Sequence, residues 1–87
     1  MSDDVKVLQS VDDMLQEMIN LQEKKALSLA RRLHPGVTPE DLRNPHDFRD
    51  LDDSDYHYED GMLNGLLAAQ SAVRARLKQL SPPPSEA

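Results

Sequence analysis

From Val5 to Leu33 the chain runs without proline or glycine. Its apolar residues recur at Leu8, Val11, Leu15, Met18, Ile19, Ala26, Leu29 and Leu33. Steps of three, four and seven are the period of a helix with one buried face. Ser2 supplies a capping side chain, and Asp3 and Asp4 fill the first turn, where the helix dipole favours anions. Arg31 and Arg32 fill the last, where it favours cations, and His34-Pro35-Gly36 stops the helix. A second run, Leu63, Leu66, Val73, Leu77 and Leu80, predicts a helix from about Asp55 to Leu80. Asp53 or Ser54 caps it, acids crowd its first turns, and Arg74, Arg76 and Lys78 its last. Ser81-Pro82-Pro83-Pro84-Ser85-Glu86-Ala87 cannot continue a helix and reads as an extended, disordered tail.

The predicted fold class is therefore all-α: one antiparallel two-helix hairpin domain over residues 1–80, with helices at about 3–33 and 55–80. The connector at 34–54 is too long for a plain turn, so structure of its own is expected there. Thr38-Pro39-Glu40-Asp41 has a cap, a first-turn proline and acids behind it, which predicts a short helical turn through Leu42 and Arg43. Asn44-Pro45 then ends it or opens another turn. Val37, Leu42, Phe48 and Leu51 are available to pin the segment onto the helix ends, with Phe48 the largest anchor.

Facing residues of an antiparallel pair have a constant sum of residue numbers. A sum of 92 sets Leu29 opposite Leu63, Ala26 opposite Leu66, Ile19 opposite Val73 and Leu15 opposite Leu77. It also sets Gln22 opposite Gln70, Arg32 near Asp60, and Arg76 and Lys78 beside Asp13 and Glu17. The first helix has a broader stripe than one partner requires, leaving Met14, Leu21 and Leu27 without an obvious neighbour. Dimerisation into a four-helix bundle would cover them, with Gln22 and Gln70 in a central polar layer. The alternative for the glutamines is that both reach solvent from the seam edge. Gly61 and Gly65 each cost about 1 kcal/mol relative to alanine inside a helix. They suggest close approach of another backbone, from the connector or a partner, or else a helix that starts later than Asp55.

Composition narrows the function. Leu, Ile, Val and Phe number 20 of 87 residues, little above the level at which charged chains stay unfolded. Such small chains often need staples or oligomerisation. Without cysteine, a disulfide scaffold, a thiol nucleophile and a thiolate zinc site are excluded. No apolar run suits a membrane span, and the start lacks the basic character of a signal peptide, so no membrane partner and a cytoplasmic location are expected. The formal charge of −6 argues against direct nucleic-acid binding. That charge is segregated: residues 1–33 carry −1, residues 34–60 carry −7 and residues 61–87 carry +2.

The acidic stretch Asp47 to Asp60 invites a metal reading, in which His46, Asp50, Asp53 and His57 are the candidate ligands. Its spacing fails the calcium-loop template, because Asp55 stands where glycine is needed and Gly61 where a bidentate glutamate belongs. Neither helix supplies the ligand set of a di-iron bundle. No catalytic residue is assigned and no cofactor is expected. Phosphate-binding glycine loops are absent, and a hairpin this small offers little enclosed volume. His57 between Tyr56 and Tyr58 is the most site-like cluster, and reads first as a packed, half-exposed helix start. The expected function is a non-enzymatic, homodimeric protein-interaction or adaptor module. Its interaction residues would be Met14, Leu21, Gln22, Gln70, Gly61 and Gly65, with an acidic surface at Asp52, Asp53, Asp55, Glu59 and Asp60 for a basic protein partner. Metal binding or sensing is the alternative.

Overall fold

A computed structural model describes residues 3–81, with His46 described by its backbone alone. Helix α1 (Asp3–Leu33) and helix α2 (Ser54–Leu80) are joined by a connector holding three short 3-10 turns, at Asp41–Arg43, Pro45–Asp47 and Arg49–Leu51. No strand occurs among the described residues. The helices fall within a residue of the bounds set by periodicity. The proline-rich segment 82–87 and the Ser2 cap lie outside the described residues.

Both helix boundaries at the connector have local causes. At the end of α1, the His34 amide donates to the Ala30 carbonyl at 2.7 Å, and the Val37 amide to the His34 carbonyl at 3.2 Å. Gly36 turns the chain there at φ +89°, a left-handed conformation that penalises any side chain. α2 starts on Asp53, whose Oδ1 accepts from the amides of Asp55 (3.0 Å) and Tyr56 (3.1 Å). Between them, Thr38 and Asp41 bond reciprocally. The Thr38 amide donates to Asp41 Oδ2, and the Asp41 amide to Thr38 Oγ1, which sets the first 3-10 turn.

The connector folds under the helix ends and makes the densest core. Ala30, Val37, Leu51 and Tyr56 are buried together, with Leu27, Leu29, Leu33, Leu42 and Phe48 packed around them. Leu27 thus has an intramolecular partner, contrary to the expectation from the stripe. Phe48 is only partly buried and tilts against His34, centroids 4.9 Å apart. The fully buried anchors are instead Val37, just after the turn at Gly36, and Leu51, at the end of the third 3-10 turn. Arg31 Nε ties the start of the connector to α1 by donating to the Val37 carbonyl at 3.3 Å.

Away from the connector the hairpin thins. Val5 and Ile19 are buried, but Leu8, Leu15, Val73 and Leu77 are only half-buried. The molecule is a rod of 52 × 22 × 18 Å.

The helix register differs from the expected one. Gln16 with Gln70 and Asp12 with Arg74 both sum to 86, Gln16 with Arg74 to 90, Lys25 with Glu59 to 84 and Gln22 with Glu59 to 81, centred near 85. The expectation of 92 is therefore off by roughly one heptad. Sliding an antiparallel pair by a heptad keeps every apolar stripe in phase, so periodicity alone cannot separate the two registers. Polar bonds and connector packing decide between them.

Candidate functional site

Two polar clusters lock the inter-helix seam. Gln22 Nε2 lies 2.8 Å from Glu59 Oε2 and 2.9 Å from the Glu59 carbonyl, donating to both. Lys25 Nζ approaches the other carboxylate oxygen at 3.4 Å. Toward the open end, Gln70 Nε2 donates to Gln16 Oε1 at 2.9 Å, and Arg74 Nε to Asp12 Oδ1 at 2.9 Å. Gln22, Gln70 and Glu59 are all buried, and no buried side-chain polar atom among the described residues lacks a partner. The glutamines therefore do not face one another, and they do not reach to solvent. Each is satisfied within one chain. Glu59, expected on an acidic surface, is turned inward. Nothing in its sequence position signals this, since an early-helix acid is equally favoured by the dipole when exposed.

The remaining acids are largely committed near home. Asp53 caps α2, Asp60 Oδ2 accepts from Asn64 at 3.4 Å, and Asp55 is exposed in the first turn of α2. Asp50 Oδ2 lies 2.7 Å from His34 Nδ1, and Asp52 Oδ1 lies 2.9 Å from His57 Nε2. The metal candidates Asp50, Asp53 and His57 are thus engaged by separate partners, and the His46 side chain lies outside the described residues. No group of three or more His, Asp or Glu able to hold a metal ion occurs among the described residues. A cleft of about 850 Å³ opens beside this core between one side of the connector and the two helices, with Leu27, Leu42, Leu63 and Leu67 on its walls. Tyr56 lines it too. Burial, reinforced by the negative charge of Asp60, pushes the Tyr56 hydroxyl above its ordinary value of 10.0, so it is no base at neutral pH.

The opposite side of the hairpin is different in kind. Val7 (61% exposed), Met14 (57%), Met18 (47%) and Leu21 (67%) line α1 at heptad steps, with half-buried Val11 between the first two. This is a second apolar stripe, one residue out of phase with the stripe that meets α2 through Leu8, Leu15, Ile19 and Gln22. One residue is 100° of rotation, so α1 presents apolar side chains in two directions. Beside it on α2 stand Met62 (43% exposed), Gly65 and Leu66, which complete an open groove of about 440 Å³ with Met18 and Leu21. Met14 and Leu21 are therefore where the broad stripe places them. Gly61 and Gly65 are exposed, and a Cβ built on either meets nothing within 4 Å. The connector does not approach them, and α2 begins at Ser54, well before either glycine.

The chain matches no protein-family model, no curated protein and no solved structure. No helix among the described residues is long and apolar enough to cross a membrane.

Proposed function

We propose that this protein is a non-catalytic interaction module that works through the apolar face of its hairpin and presents the acidic connector to a basic protein partner. The observation that carries the reading is the second stripe on α1, continued on α2 by Met62. Solvent-exposed side chains of Val, Met and Leu in one contiguous row mark a contact surface far better than apolar residues scattered singly. Their unbranched methionines adapt to a partner's contour. In this reading the module is a homodimer, two hairpins closing into a four-helix bundle, and the connectors remain outside the bundle. Histidine–aspartate pairs and the half-buried capping Asp53 hold the connector's shape rather than gather around a substrate, which favours binding over turnover.

A photo-crosslinking amino acid at Leu21 tests the face, with the same group at Asn20, on the cleft side of α1, as the control. Covalent protein adducts from position 21 and few from position 20 are expected in cell extract. Equal labelling from both positions, or none from 21, would refute the interface. Reversing Asp52 and Asp55 to lysine should abolish capture of basic proteins, and unchanged capture would remove the connector from the proposal.

A further inference from the structure

We infer that the occupant of the exposed face is a second copy of this chain, related by a two-fold axis parallel to the helices, so that both acidic connectors sit at the same end of the dimer. This rests on the homodimer reading above and adds its symmetry, register and polarity.

Charge gives the first constraint. In α1, residues 3–17 hold Asp3, Asp4, Asp12, Asp13 and Glu17 against Lys6, whereas residues 18–33 hold Lys24, Lys25, Arg31 and Arg32 against Glu23. In α2, Asp55, Glu59 and Asp60 open the helix and Arg74, Arg76 and Lys78 close it. Each helix is acidic at its start and basic at its end. Neighbours across a dimer interface are complementary only when antiparallel, and like charges meet when they are parallel. Two arrangements keep all four neighbours antiparallel: α1 beside the partner's α1, or α1 beside the partner's α2.

Side-chain size separates these two. On the shared face α1 offers Val7, Val11, Met14, Met18 and Leu21, while α2 offers Met62 and Leu66 toward the connector and, beyond them at helical spacing, Gly65, Ala68, Ala69 and Ala72. Stacking like on like would put large residues together along one edge and small along the other. Crossing α1 onto the partner's α2 seats Met14, Met18 and Leu21 on the small residues from Gly65 to Ala72, so both helix pairs lie at one spacing over that stretch and the layers interdigitate.

Symmetry then fixes the register without a further choice. An axis parallel to the helices leaves every residue at its own height, so the cross-dimer register equals the intramolecular one. With the sum of 86 set by Gln16/Gln70 and Asp12/Arg74, Leu21 falls at the height of the partner's Gly65, Met18 at Ala68 and Met14 at Ala72. Gly65, which nothing in the monomer requires, becomes the site where the bulk of Leu21 needs room. The same symmetry gathers two segments of charge −7 at one pole, a bivalent anionic surface suited to a basic protein with two matching sites.

The chain has no cysteine, so single labels can be introduced cleanly. Light scattering should give twice the 9.8 kDa chain mass. Spin labels on Asn44→Cys should read a connector-to-connector distance below about 35 Å, set by helix spacings of 8–10 Å and the label linkers. A distance near the 52 Å length of the rod would overturn the shared pole in favour of α1 beside α1. Gly65→Leu is the decisive variant. Its side chain has open space in the monomer, so helicity should be kept or raised while the mass falls to that of one chain. A dimer that tolerates Gly65→Leu would overturn the large-on-small register. A monomer that still gives foreign adducts from position 21 would overturn the second copy and leave the interaction face standing. Monomeric mass with no adducts would overturn both.

Discussion

The two ends of the hairpin are built on different terms. At the connector end, Ala30, Val37, Leu51 and Tyr56 are sealed from solvent by Leu42 and Phe48 of the connector and by the helix ends. At the open end the same two helices meet through half-buried leucines and a chain of polar bonds from Asp12 through Arg74 and Gln16 to Gln70. The first is a core that one chain completes alone. The second is half of one, because two helices in contact leave most of each circumference in water. The difference teaches where the proposed partner would sit: the connector end closes itself, and the rest of the rod carries an apolar row that the chain leaves open.

Truncation in the two ends gives the sharpest break of this comparison. Leu51→Ala removes a fully buried side chain and should cost about 2–5 kcal/mol, whereas Leu77→Ala, half-buried, should cost about 1 kcal/mol in the monomer. Urea unfolding measures both, and equal losses would dissolve the distinction. Glu59→Ala comes next. It strips buried Gln22 of its carboxylate acceptor and should cost about 1–3 kcal/mol. A loss below that range would mean that the Glu59 carbonyl alone holds the amide.

The exposed glycine gives a change of opposite sign. Gly61→Ala, at a helical position with no neighbour within 4 Å, should raise thermal stability by about 1 kcal/mol. A decrease would show that the chain already uses the space. The smallest effect is at high pH. Because the folded-state pKa of Tyr56 lies above 10.0, the unfolded chain loses that proton first. The stabilisation is complete below pH 10 and declines as pH rises through the folded value. Tyr56→Phe should flatten the slope of stability against pH above 10, as read by denaturant midpoints at successive pH values.

Much of this architecture is legible along the chain, because helix formation and capping act over a few residues. The uninterrupted run to Leu33, the turn at Pro35-Gly36, the Asp53 cap and the Thr38–Asp41 exchange are all local chemistry, and periodicity finds the two stripes without coordinates. Segment charge places the anionic excess between the helices in the same way. What folding alone decides are the pairings between residues distant in sequence. The stripes fit equally well at registers a heptad apart, so hydrophobic pattern leaves the slide undetermined. The bonds of Gln22 to Glu59 and of Arg74 to Asp12, together with the connector wedged under the helix ends, select one. The same selection turns Glu59 inward, pairs His34 with Asp50, and leaves Gly61 and Gly65 facing open space. Each of these depends on which atoms arrive within 3 Å of one another. That distance belongs to the folded chain, whereas the propensities that built its helices were already present residue by residue.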